Sequence, residues 1–304
     1  MHVSLMSDVA KLVHDHELRY DVSTMCSLPE LMAKQFLSSG RNLIVIDTFR
    51  NVSSITVALA AGALDVMLFG KGRENLEMLK AEAASYSGLK LLAGEFEGQP
   101  IPGFDCGNSP LDFSVERVSG RRIYYSSTNG GAAVQSALSL TKKELVLGCI
   151  LNGAAIGRAI ASGHLPLPLM IVCAGFRGGF AIEDCLTAGQ ILLVARSHGA
   201  DLGILDDCSC AAMELAKARF GETGNVLEPR KLAYELAQSR CGSVLTTLGL
   251  GADIAAAIDG TGLDPAIVIG ANDCIPIIDR RSSPPRIIAA PSFGSFSSNP
   301  RKPR

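Results

Sequence analysis

Residues 42–70 read NLIVIDTFRNVSSITVALAAGALDVMLFG. The segment opens on a continuous apolar run, Leu43 to Ile46, that ends at Asp47. An unbroken run, rather than an alternating one, marks a strand covered on both faces. Val52 to Ala63 follows with helical spacing, and Asp65 to Gly70 is a second apolar run. Strand, helix and strand in so short a stretch begin an alternation that implies a sheet with parallel strands and helices on both faces.

The same alternation continues outward. LKLLAG (89–94), RRIYYSS (121–127), LVLGCILN (145–152) and LPLMIVCAG (167–175) read as further strands. Helices are predicted over GRENLEMLKAEAASYSG (72–88), from about Gly131, over GAAIGRAIASG (153–163), over EDCLTAGQILLVARSHG (183–199), and onward to about residue 260. The expected fold is α/β, a three-layer α/β/α arrangement on a mixed, largely parallel sheet. Ligands in such folds sit at the carboxyl ends of strands, in the loops that lead into helices.

Residues 1–40 read as an N-terminal helical extension, with an N-cap serine, an early proline and a glycine stop in SLPELMAKQFLSSGRN (27–42). Residues 41–279 form the α/β domain, and 280–304, basic and rich in Pro and Ser, read as a disordered tail. The chain has 304 residues, 47% of them hydrophobic, enough for a sizeable core. With 28 basic and 30 acidic residues the formal charge is −2, which argues against a nucleic-acid surface but not against a small anionic substrate. The longest apolar runs are too short or too broken to span a bilayer, and the first twenty residues carry charges through their apolar positions, unlike a secretory signal. Nine scattered cysteines without CxxC spacing read as free thiols of a reducing cytoplasm.

Several strand ends carry candidate chemistry. Asp47 closes the most apolar strand, with Arg50 three residues on; a buried carboxylate there must be paired, coordinated or at a rim, or it caps the following helix. LLAGEFEGQPIPGFDCGNSP (91–110) is a long loop after a strand, bearing Glu95, Asp105, Asn108 and Ser109. STNGG (127–131) offers the hydroxyls of Ser127 and Thr128, then Asn129, Gly130 and Gly131 at a helix start. It reads equally as a capped turn or as an anion cradle at a positive helix end. Glu183 and Asp184 open another helix, where acids complement the dipole; with substrate oxygens they would also suit a hard cation. No GxxxxGK[ST] is present. In CAGFRGG (173–179) Arg177 stands too close to Cys173 for a cysteine-phosphatase loop, and the histidines show no ligand spacing.

In order along the chain, VIDTFRNVSSITVALAAGA, LAGEFEGQPIPGFDCGNSPLDFS, YYSSTNGGAAV, IVCAGFRGGFAIEDCLTAGQIL and LTTLGLGADIAAAID resemble successive blocks of the 2-phosphosulfolactate phosphatase family. The resemblance spans roughly residues 41–279, and the order of the blocks is its specific part. It implies a magnesium-dependent phosphatase that releases phosphate from 2-phospho-3-sulfolactate, on the way to coenzyme M. Carried onto this chain, it makes Asp47, Arg50 and Glu95 catalytic candidates. Asp47, Glu183 and Asp184 become the Mg²⁺ ligands. Asn108, Ser109, Ser127, Thr128, Asn129 and Gly130 would hold the small phosphorylated acid. Hydrolysis by a water molecule and attack by Asp47 itself both stay open, and so does self-association. The chain departs from the family's usual pattern where Phe96 replaces an arginine and Gly131 a threonine. Phe96 predicts a weak preference for a sulfonated substrate. The departures also leave room for a lapsed homologue that only binds its ligand, or for different chemistry on the same scaffold.

Overall fold

The computed structural model describes residues 20–26, 40–128, 130–282 and 284–290. One ten-stranded sheet has the order β1-β8-β2-β7-β9-β10-β3-β6-β4-β5. Strands β1 (Val22–Met25), β2 (Asn42–Ile46), β7 (Leu145–Gly148) and β8 (Leu169–Cys173) are mutually parallel, as are β3 (Asp65–Phe69), β4 (Lys90–Phe96) and β6 (Arg122–Ser126). Strands β9 (Pro276–Asp279) and β10 (Arg286–Ala289) pair antiparallel with each other and bridge the groups, β9 to β7 and β10 to β3. Three successive antiparallel steps leave the two parallel groups running in opposite senses. Strand β5 (Gln99–Pro100) forms a short hairpin with β4.

The layers follow from the pleat. Leu43 and Val45 enter one core while Ile44 and Ile46 enter the other, because successive side chains of a strand leave opposite faces. The first core is covered by α1 (Asn51–Ala60) and α4 (Gly130–Leu140), the second by α6 (Ile182–Ser197) and α7 (Asp207–Phe220). Helix α5 (Ile150–Ala161) contributes Leu151 to the first core and Ile156 to the second. Helices α2 (Arg73–Ser85) and α3 (Val115–Val118) precede these, and α8 (Pro229–Ala237), α9 (Arg240–Thr247), α10 (Ala252–Asp259) and α11 (Pro265–Asp273) close the chain. The expected mixed, largely parallel three-layer architecture is the observed one.

Two expectations about the ends are corrected. Residues 22–25 of the expected helical extension form β1, fully buried and in register with β8, as β-branched Val22 and Thr24 suit a strand. The helix expected over 27–42 falls mainly on residues outside the described ones. Residues 286–289, expected within a disordered tail, form β10 in the interior of the sheet. Ile287 is buried there, and the Arg286 guanidinium donates to Asp65 Oδ2 at 2.9 Å. The surrounding Pro and Ser masked the RIIA segment. Residues 291–304 lie outside the described ones.

Candidate active site

The loops after β2, β3, β4, β6 and β8 open on one cavity of about 510 Å³. Its lining includes Asp47, Asn51, Lys71, Glu95, Asn108, Ser127, Thr128 and Arg177, with an apolar wall from Phe49, Val244, Leu245 and Leu248. The cavity brings together most of the polar residues singled out in the sequence. It also shows which of them are already engaged within the protein.

Asp47 lies at the cavity floor and is buried, with its carboxylate accepting the backbone N–H of Asn51. Burial, then the negative charges of Glu95 and Glu183, push its pKa from 3.8 up to about 7, against the opposing pull of Arg50. Asp184 sits behind it on α6. Its Oδ1 accepts from the Thr48 amide at 2.9 Å and its Oδ2 from the Gly175 amide at 3.0 Å, so one carboxylate ties the β2–α1 loop to the β8–α6 loop. Burial first, and Asp47 and Glu183 next, raise its pKa well above the carboxylate range. Glu183 is buried too, with Ser239 Oγ at 3.5 Å from its Oε2, and burial raises its pKa. Three acids share this low-dielectric region, so each opposes the ionisation of the others.

Arg50 does not face the cavity as a free cation. Its Nη1 donates to Asp253 Oδ2 at 2.6 Å and its Nη2 to the Gly98 carbonyl at 3.2 Å. Ser109 is drawn to the same acid, its Oγ donating to Asp253 Oδ1 at 2.6 Å. Asp253 was missed by sequence reasoning, since it lies 203 residues from its arginine with no local pattern joining them. Glu95 is likewise committed: Oε1 accepts from the Thr128 amide at 2.5 Å, and Oε2 accepts from Thr128 Oγ1 at 3.0 Å and from the Gly98 amide at 2.7 Å. The Thr128 donors, expected to hold an anion, are turned to this carboxylate instead.

Asn129 lies outside the described residues. Gly130 opens α4 directly against Asp47 and Asn51; a side-chain carbon there would strike the Asp47 carboxylate and the Asn51 amide. At Gly131 a side-chain carbon would lie 2.9 Å from the Phe69 carbonyl oxygen, so the threonine usual in the family pattern has no room. Phe96 is 57% exposed and does not line the cavity.

The cavity wall holds unspent polar groups. Both the Nδ2 and Oδ1 atoms of Asn51 and the Oδ1 of Asn108 are buried without hydrogen-bond partners among the described residues. Orphaned polar atoms are rare in a folded interior and mark a place where a ligand or water supplies the bonds. Lys71 and Arg177 stand at the rim, and among the described residues neither is in an ion pair. Both were legible only as strand-end cations: Lys71 follows Gly70 after β3, and Arg177 sits in CAGFRGG after β8. Among the described residues no group of three or more His, Cys, Asp or Glu side chains is gathered as a metal cage.

The family model described as 2-phosphosulpholactate phosphatase matches residues 26–267. The chain belongs to the 2-phosphosulpholactate phosphatase family. Among its curated relatives is a probable 2-phosphosulfolactate phosphatase of Caldanaerobacter subterraneus subsp. tengcongensis, 41% identical over half of this chain and 60% of that protein. Proteins of the same description from a Synechocystis species and from Symbiobacterium thermophilum are 35% and 33% identical, each over 62% of this chain and over 74% and 78% of their own lengths. The matched region of the 2-phosphosulpholactate phosphatase family takes in every loop of the cavity described above, from Asp47 to Asp253. No helix among the described residues is long and apolar enough to cross a membrane.

Proposed function

We propose that this protein is a phosphoric monoester hydrolase. Its substrate is the phosphate ester of a small acid, 2-phosphosulfolactate or a related phospho-carboxylate, and Mg²⁺ is its metal. The observation that carries the reading is the juxtaposition of Asp47, with its raised proton affinity, and the Asn51 amide, unpartnered among the described residues. Both lie against the start of α4, in a cavity rimmed by Lys71 and Arg177. A helix start and an amide N–H favour a phosphoryl oxygen. The acids around them do not, unless a proton or a cation neutralises them. Neutralisation of this kind is what a metal shared between enzyme and substrate provides.

The donor set fits such an ion but not an all-protein cage. Mg²⁺ takes one or two carboxylates and completes its shell with substrate oxygens and water. Asp47 would hold it from the cavity floor, with Glu183 behind. When bound, Mg²⁺ polarises the phosphoryl group and meets developing negative charge. Asp184, both of whose oxygens accept backbone N–H groups, positions the two loops rather than offering a free face. Asn51 orients the phosphoryl oxygens through Nδ2, with Ser127 and the α4 terminus beside it. Asn108 Oδ1 accepts from the entering water, and Lys71 meets the phosphoryl charge at the rim. Glu95 and Asp253 keep their loops in place through Thr128, Gly98, Arg50 and Ser109.

The sulfonated member of this substrate class would place the protein on the route to coenzyme M. Cytoplasmic residence is supported by nine scattered cysteines that lack CxxC spacing. The test is phosphate release from a panel of phosphorylated acids, in EDTA and after restoring Mg²⁺, for the wild type and Asp47→Asn. The expected result is turnover that EDTA abolishes, Mg²⁺ restores and the variant lacks. No release from any ester with Mg²⁺ present would refute the enzyme; full activity after exhaustive metal removal would refute the metal.

A further inference from the structure

Two hairpin turns frame the mouth of the cavity. Glu97–Gly98 joins β4 to β5, and Arg177–Gly178 is closed by reciprocal backbone hydrogen bonds of 3.0 Å between Phe176 and Gly179. Both central residues of each turn have positive φ: 52° and 84° in the first, 51° and 75° in the second. That is the type I′ geometry, in which Asn, Asp or Gly is the usual first residue. Glu97 and Arg177 are the only non-glycine residues with positive φ among the described residues, and both line this cavity. Backbone strain of this kind persists where the surrounding structure enforces it, and it clusters at ligand sites.

The two turns carry opposite charges and come from opposite sides. The Glu97 turn belongs to the β3–β6–β4 group, beside Thr128, whose Oγ1 accepts from the Glu97 amide at 3.3 Å. Lys71 follows β3 on that same side, next to the start of α4, where the phosphate belongs. The Arg177 turn follows β8, in the other group. It is held at its base by the Gly175 amide donating to Asp184, and its guanidinium carbon lies 5.3 Å from the Phe176 ring centroid. Among the described residues Glu97 and Arg177 make no ion pair, and the other arginine of the cavity, Arg50, is spent on Asp253.

We propose that the mouth sorts substrates by charge. Arg177 pairs with the acid group of the ester that is not transferred, and Glu97 repels a second such group on the β4 side. The preferred substrate is then a phosphate ester carrying one further carboxylate. This rests on the phosphatase reading and narrows its substrate class.

Three esters on one carbon frame test it: isopropyl phosphate with no further acid, 2-phospholactate with one, and 2-phosphosulfolactate with two. Arg177→Gln should lower kcat/KM for 2-phospholactate by roughly ten-fold, the value of a charge-assisted hydrogen bond. It should leave isopropyl phosphate within about two-fold, and Arg177→Lys should recover part of the loss. Glu97→Gln should raise 2-phosphosulfolactate relative to 2-phospholactate by about three-fold, as expected for an exposed charge. Equal loss on isopropyl phosphate, or no loss on either ester, would overturn the role of Arg177; an unchanged ratio in Glu97→Gln would overturn that of Glu97. If no ester turns over, the phosphatase reading fails and thermal shift decides the mouth by itself. In that case 2-phospholactate must protect the wild type more than isopropyl phosphate does, and Arg177→Gln must lose that excess while keeping protection by inorganic phosphate; otherwise the proposal falls.

Discussion

Replacing Asp47 by Asn should stabilise the metal-free protein while abolishing its activity. The folded pKa of Asp47 is raised from 3.8 to about 7. A raised acid favours the protonated form in the fold, so the sign is fixed. Below pH 3.8 both states hold the proton and nothing is lost. Between pH 3.8 and 7 the unfolded chain ionises while the folded chain does not, and stability falls as pH rises. Above about pH 7 the loss is complete. Each pKa unit is worth about 1.36 kcal/mol, so the full difference is about 4 kcal/mol as an upper bound. Asn carries no charge at any of these pH values and keeps an acceptor for the Asn51 amide. For 304 residues, about 2.1 cal/mol/K of unfolding entropy per residue makes this at most about 6 °C in Tm. The assay is urea unfolding of both proteins in EDTA at pH values from 4.5 to 8.5. The advantage of the variant should grow with pH and level off above neutrality, and added Mg²⁺ at pH 8 should stabilise only the wild type. Parallel stability curves for the two proteins across this range would refute the reasoning.

Two further outcomes follow from the committed side chains. Asp253→Asn leaves the Arg50 guanidinium buried without its counter-charge, both side chains being under 5% exposed, and should lose about 3–5 kcal/mol in urea unfolding; a loss below about 1 kcal/mol would show that the pair is not buried in solution. Thr128→Ala removes the hydroxyl that donates to Glu95 at 3.0 Å and should lose about 1.5–3 kcal/mol of stability, the value for a hydrogen bond to a charged group. Its KM for a phosphate ester should change little; a ten-fold rise in KM with unchanged stability would mean that the hydroxyl faces the ligand instead.

Much of the site was legible because strand-end chemistry is local. Asp47 follows an apolar run, Ser127 and Thr128 follow another, and the glycines at 130 and 131 announce a close approach. What each donor does was not legible. Thr128 looks like an anion donor in its own sequence, yet it serves Glu95, which comes from the end of a neighbouring strand. Arg50 looks like a phosphate ligand beside Asp47, yet Asp253 takes it from across the chain. Asn51 carries no signal of its own in the sequence, and only its buried amide, unpartnered among the described residues, shows it as a binding group.

By itself, the sequence determined the alternation of strands and helices, the two-faced burial of the central strands and the loops where chemistry would lie. These depend on periodicity and turn residues, which act over a few positions. The family was legible too, through the order of its motifs. Only the tertiary structure decided that VSTM and RIIA join the sheet, since VSTM pairs with Leu169–Val172, more than a hundred residues away, and RIIA lies between the nearby β9 and the distant Val66, with Arg286 paired to Asp65. It also decided that the ends of two oppositely running strand groups meet in one cavity. Charge pairing there is set by distance in space, and so the division of Arg50, Glu95 and Thr128 from Asp47, Asn51 and Arg177 belongs to the fold alone.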